Sequence, residues 1–187
     1  MPAPDPSLLG PLAGLIGTWE GDEGLDVSYH HDDAVIGDTP YRERTTFGPF
    51  GPVDNGSQCL YGLDYRTAAW RAGEEDPFHT EVGYWLWDGG AGQVMRCFMV
   101  PRGSTILAGG DATADARSFT MVADVGSTTY GILSNRYLDE KARTTHYEVT
   151  ITIDGDTFTY EEDTVVDLAA TGSTVHHTDR NTLRRVG

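Results

Sequence analysis

The sequence predicts an all-β fold: a single closed antiparallel up-and-down barrel of about ten strands, preceded by a short N-terminal helix. Strand-like segments recur every ~10–15 residues with turn formers between them. The 23 glycines and 9 prolines supply those turns, and no helical pattern separates one strand from the next. The 187 residues suit one domain, with no second domain, repeat or linker, so residues 7–187 read as the barrel and 1–6 as a flexible, Pro-rich lead-in.

The elements follow in order. Ser7 is placed to cap a short helix through Leu8, Leu9, Leu12, Leu15 and Ile16, which Gly17 ends. Gly17–Tyr29 is the first strand and His30-His31-Asp32-Asp33 a polar turn. Pro40–Phe47 alternates, with Tyr41, Glu43, Thr45 and Phe47 on one face. Residues 48–56 hold enough Gly, Pro and Asn to read as a loop, and Gln58–Ala69 follows as a strand. In His79–Trp87, Val82, Tyr84 and Leu86 share one face, and Glu81, Gly83, Trp85 and Trp87 the other. Gln93–Pro101 and Thr105–Gly109 form a hairpin, then come Ser118–Val125 and Tyr130–Leu138, the last of open type. Arg143–Ile153 places Thr145, Tyr147, Val149, Ile151 and Ile153 together and His146 outside. The Asp154-Gly155-Asp156 turn leads into Phe158–Val166, and Thr174–Val186 closes the chain.

Charge excludes some partners. With 29 acids against 13 bases, the net charge of −16 repels nucleic-acid phosphates and anionic lipid. No apolar run reaches the ~20 residues of a membrane helix, and no basic leader precedes one, so a cytoplasmic location is expected. Cys59 and Cys97 lack metal or redox spacing and read as buried reduced thiols. No hydrolase elbow, phosphate loop or zinc-protease motif occurs. The acids Glu161, Glu162 and Asp163 read as solvated.

A closed barrel removes edge strands and can enclose one small ligand. Three stretches bear on that ligand. Gly17-Thr18-Trp19-Glu20-Gly21-Asp22-Glu23-Gly24 puts a tryptophan where it can plug the barrel end. Pro77-Phe78-His79-Thr80-Glu81-Val82-Gly83-Tyr84-Trp85 sets a histidine at a strand start, and Val175-His176-His177-Thr178 opens the last strand. In residues and order these resemble the nitrobindin family, fatty-acid-binding-protein-like barrels that bind haem. The resemblance implies haem b on a C-terminal histidine, a distal role for His79, a homodimer, and isomerisation of peroxynitrite if haem is bound.

The chain departs from the family pattern at the iron ligand. The family spacing, counted back from Leu183, falls on Thr178, with His177 and His176 one and two places earlier. Successive strand side chains face opposite ways, so His176 and Thr178 share a face and a one-residue bulge would return His177 to the iron position. His177 is the candidate iron ligand, with His176 the alternative. The candidate ligand pocket is Trp19, Phe78, His79, Tyr84, Met99, Tyr147 and His176. Arg180, Arg184 and Arg185 read as carboxylate binders or solvated charges, and His30-His31 as a surface turn. Three functions stay open: a barrel holding an apolar or amphipathic ligand, a ferric haem protein, and a structural barrel with a filled core.

Overall fold

Alternation of inward and outward side chains runs along nearly every segment, and the computed structural model, which describes residues 3–187, closes them into one barrel. Its 11 strands are β1 (Gly17–His30), β2 (Val35–Asp54), β3 (Cys59–Arg71), β4 (His79–Asp88), β5 (Gln93–Val100), β6 (Ser104–Asp111), β7 (Ser118–Val125), β8 (Gly131–Ser134), β9 (Ala142–Asp154), β10 (Thr157–Leu168) and β11 (Ser173–Arg185). They meander round the wall, except that short β8 sits out of order between β6 and β7 and runs parallel to β7. Pairing of β1 with β11 closes the ring, so no edge is left open.

One barrel end is sealed by a 3-10 helix, Pro6–Leu15, whose Leu9, Leu12 and Leu15 are fully buried. Its cap is Asp5, whose carboxylate accepts from the Ser7 backbone N–H at 2.9 Å; the expected cap, Ser7, is the donor. The lead-in read as flexible therefore contributes Asp5 and Pro6 to this turn, while residues 1 and 2 lie outside the described residues. Trp19 donates its indole N–H to the Leu15 carbonyl at 2.7 Å and meets Phe158 edge-on at 5.0 Å. Arg185 is neither a ligand binder nor solvated. Its guanidinium lies 4.2 Å from the Trp19 ring centre and donates to the carbonyls of Gly14, at 2.8 Å, and Ile16, tying the last strand to the plug. Around these pack Phe47, Leu63, Trp85, Val94, Ile151 and Leu183, each contributing about 1.5–3 kcal/mol through burial.

Three expectations are corrected. Residues 48–56 are mostly strand, because β2 runs on to Asp54 with a register shift between Phe50 and Val53. Tyr130–Leu138 splits into β8 and a short helix, α1 (Arg136–Lys141), where the Asn135 side chain accepts from the Leu138 N–H at 3.0 Å. Both cysteines are free thiols, but Cys59 is exposed rather than buried. Among the described residues, no helix is long and apolar enough to cross a membrane.

Gly10 kinks the plug with φ of 54°, and a Cβ there would lie 2.4 Å from Cε2 of Trp87. Gly10→Ala is therefore expected to destabilise the protein by about 1–3 kcal/mol. An equilibrium urea transition checks this, and an unchanged midpoint would contradict the packing described.

Candidate functional site

Above the apolar floor the barrel holds a cavity of about 330 Å³, at the low end for small-molecule sites. It opens at the end opposite the plug, where Phe78, Val100, Leu138, Leu168 and Val175 form an apolar rim. Between rim and floor lies a polar layer.

The layer centres on Arg96, which β5 points inward between Val94 and Phe98. Its guanidinium pairs with Glu81 of β4, and with Glu162 of β10 across the barrel at 2.8 Å. It also donates to the Tyr147 hydroxyl, which donates in turn to Glu162 at 2.7 Å; Tyr65 donates to Glu81 at 2.9 Å. Burial pushes the Glu81 carboxyl up, but the Arg96 charge and the His79 hydrogen bond outweigh it and bring the group down to about 2. Glu162 is shifted the other way, above the usual carboxylate range, by burial and the neighbouring Glu81 and Asp179. Beside this network Glu43 accepts from Tyr160 (2.7 Å) and Asn181 (3.0 Å) on one oxygen and from Thr67 (2.8 Å) and Thr45 (2.9 Å) on the other. Its lone pairs are filled by the protein itself.

Nearer the mouth, His177 Nε2 lies 2.7 Å from Asp26 and 3.1 Å from Asp179. Burial pushes the imidazole down, but the hydrogen bonds and charges of Asp179 and Asp26 outweigh it and raise the group to about 10. The strand geometry explains the cluster. β11 pairs with β10 in unbroken register from Ser173 to Arg184, so Val175, His177, Asp179, Asn181 and Leu183 all face inward by plain alternation. His177 needs no bulge in β11 to reach the interior. The irregularity is in β1, where the register shifts between Gly21 and Gly24 against β2 and between Glu20 and Leu25 against β11. That extra residue lets both Trp19 and Asp26 face inward although seven positions separate them. A Cβ at Gly24 would sit 2.4 Å from the Tyr41 ring, so glycine lets the bulged strand pass close beneath it.

The pocket residues expected from sequence divide into three groups. Phe78, His79, Tyr147 and His177 line the cavity. Trp19 lies beneath it as part of the seal. Tyr84, Met99 and His176 are outside: Tyr84 is 52% and Met99 53% exposed, and His176 bonds Asp163 at 2.7 Å on the outer face. The alternation in β4 is as read, but its inward face is that of Glu81, Trp85 and Trp87 rather than Tyr84. Thr145 also leaves the inner face, since a bulge in β9 turns Thr144 inward instead. His146 lies outside as expected, on Asp124. Sequence reasoning missed Arg96, Glu43, Glu81, Asp26 and Asp179, and misread Glu162 as solvated. For all but Asp26 the signal was present: each shares its strand parity with a buried apolar residue, as Arg96 does with Val94 and Phe98, whereas Asp26 shares none with Trp19 and is turned inward by the β1 bulge.

The depressed Glu81 carboxyl gives a pH prediction. Its folded value lies below its unfolded one, so its stabilisation is present above about pH 4.5 and is lost as pH falls towards 2. Glu81→Gln should flatten that part of the acid-unfolding curve. It should also cost about 3–5 kcal/mol at neutral pH by leaving Arg96 half-paired. Acid titration followed by near-UV circular dichroism checks both, and an unaltered curve would refute the pairing.

No curated protein matches the chain. A solved structure titled "Crystal Structure of Rv2717c from M. tuberculosis" superposes with a TM-score of 0.69 at 20% identity, covering 98% of this chain and 99% of that one, and so shares the fold. The model of the THAP4-like, heme-binding β-barrel domain matches residues 8–185. With its closed wall, plugged end and open cavity, the chain belongs to this THAP4-like haem-binding β-barrel family, the nitrobindin family.

Proposed function

We propose that this barrel binds a small, uncharged amphipathic molecule through its open end, and that it does so without haem. The observation that carries this reading is the state of the two histidines that meet carboxylates on the cavity wall. Nε2 of His177 is held by Asp26 and Asp179, and Nε2 of His79 by Glu81 at 3.1 Å. Haem iron needs an imidazole nitrogen turned to the metal and an apolar slot for the macrocycle. Here Asp26, Glu43, Glu81, Glu162 and Asp179 line the same cavity, and the propionates of haem would add negative charge to theirs. The residues present do not fit the group, and the peroxynitrite chemistry implied by the family resemblance depends on it.

An uncharged amphipathic ligand suits what remains. The rim is apolar, and the layer below offers hydroxyls and hydrogen-bonded carboxylates, with the one guanidinium of Arg96 shared between Glu81 and Glu162. An alcohol or amide head would rest on the polar layer, with its apolar body against Phe78 and Val100. A carboxylate head would meet five acids. The protein's two free thiols accord with the reducing cytoplasm as its place of work.

Two measurements test this. Purified protein mixed with hemin and desalted should retain no sharp Soret band, while a fluorescent long-chain alcohol should bind at micromolar concentration and at least about tenfold tighter than the matching fatty acid. A Soret band retained by the native protein and lost in His177→Ala would contradict the reading.

The homodimer implied by the family resemblance is assigned, within the same proposal, to the outer face of β4–β6 and β8. There Val82, Tyr84, Met99, Leu107 and Leu133 are exposed, and their strands are hydrogen-bonded neighbours. Leu133→Asp combined with Met99→Asp should halve the mass in sedimentation equilibrium. A native protein already monomeric would overturn the assignment.

A further inference from the structure

We propose that Asp26, His177 and Asp179 form a binding site for one divalent first-row transition-metal ion, at the wall of the cavity near its mouth. The inference goes beyond the ligand reading and does not need it, since the ion could bind with the rest of the cavity empty.

The placement of the donors carries the argument. Asp26 of β1 and Asp179 of β11 are direct cross-strand partners, so their carboxylates stand side by side on the inner face. His177 is two residues before Asp179 on the same face. One donor atom from each of the three lies within 4.8 Å of the other two. Donors on a tetrahedral ion of this class sit about 3.4 Å apart, given bonds of about 2.0–2.2 Å. The separations of 2.7 and 3.1 Å from His177 Nε2 need to open by only fractions of an ångström. Like charges directly opposite on adjacent strands are unfavourable, so the pair calls for a cation between them. At present the ring of His177 supplies it; the ion would take that place and convert the ring from hydrogen-bond donor to ligand.

Three features point to a built site. The Asp26 side chain is 9% exposed, and its second oxygen accepts from the Ser28 hydroxyl at 2.6 Å, which fixes the carboxylate's orientation. The β1 bulge, with its close glycine at Gly24, is what turns Asp26 inward. The cavity mouth supplies a path of entry. One imidazole and two carboxylates suit Zn²⁺, Fe²⁺, Mn²⁺ or Co²⁺ better than the all-oxygen preference of Mg²⁺ or Ca²⁺. Three protein ligands also leave a fourth position directed to water or to a molecule in the cavity, the pattern of open rather than structural zinc sites.

The test uses the full chain, treated with chelator and desalted. Titration with Zn²⁺ alone in a calorimeter should show one equivalent bound at micromolar concentration or tighter, and Co²⁺ alone should develop a visible d–d absorption band. Asp26→Asn, Asp179→Asn and His177→Ala should each weaken Zn²⁺ by at least about tenfold and abolish the Co²⁺ band, and Ser28→Ala should weaken it by about tenfold. His176→Ala and His146→Ala, on the outer face, should change neither. Melting temperatures establish that each variant is folded. If His177→Ala is not, the two Asp→Asn variants, which keep side-chain volume, decide the question. Native protein that binds no Zn²⁺ at micromolar concentration, or a full equivalent and an unchanged Co²⁺ spectrum in folded triad variants, would overturn the proposal.

Discussion

A guanidinium inside a closed barrel is the constraint on which the rest of this structure depends. Taking Arg96 out of water costs several kcal/mol unless charge and hydrogen bonds are returned to it. Glu81 returns them from the neighbouring strand, and Glu162 and Tyr147 from the opposite wall. The network is therefore a strut across the barrel, linking β4 and β5 to β9 and β10. It divides the interior into three levels: the aromatic floor tied to the plug by Trp19 and Arg185, the polar layer, and the open cavity above it. A ligand entering from the mouth meets an apolar rim first and a hydrogen-bonded, acid-rich layer second. That order favours a head that hydrogen-bonds without adding negative charge.

The second constraint is parity. A strand offers every other residue to the interior, and a single inserted residue exchanges the two sets. β1 uses this once. Before the shift Trp19 faces in and completes the seal; after it Asp26 faces in and meets His177. Without the insertion Asp26 would point to solvent, and His177 and Asp179 would face each other alone. The short stretch Gly21–Gly24 thus connects the closed end of the barrel to the chemistry of its mouth. On the last strand the His177 ring is held by acids from its own and the adjacent strand.

Much of the fold was legible because alternation at period two is a strong signal over long strands. Tyr41, Glu43, Thr45 and Phe47 were grouped on one face and stand there, as do Tyr147, Val149, Ile151 and Ile153. Which face turns inward was less legible. Aromatic and sulfur-bearing side chains suggested that Tyr84 and Met99 look inward, but Trp85 and Trp87 fill the core and leave Tyr84 outside. Arg96, Glu81 and Glu162 escaped notice because a charge on a strand ordinarily marks the solvent face; only the pairing of opposite charges across the barrel reverses that expectation, and such pairing is a long-range property. Bulges were hidden for the same reason. Thr145 and Asp26 change sides through register shifts that depend on the partner strand. The loop expected at 48–56 became strand because backbone pairing with β3 overrode its turn-forming composition, whereas α1 carried a readable Asn135 cap inside a segment whose type was left open.

His177 is held as a cation between two carboxylates rather than offered as a neutral ring to iron. Long-range ¹H–¹⁵N correlation spectra of the metal-free protein, labelled at histidine nitrogen, read this directly. At about pH 8, above the free-histidine value of about 6.5, both ring nitrogens of His177 should carry protons, since the group titrates at about 10. A neutral ring at that pH, with Nε2 unprotonated, would contradict the ion pairing with Asp26 and Asp179 and leave that nitrogen free to ligate iron.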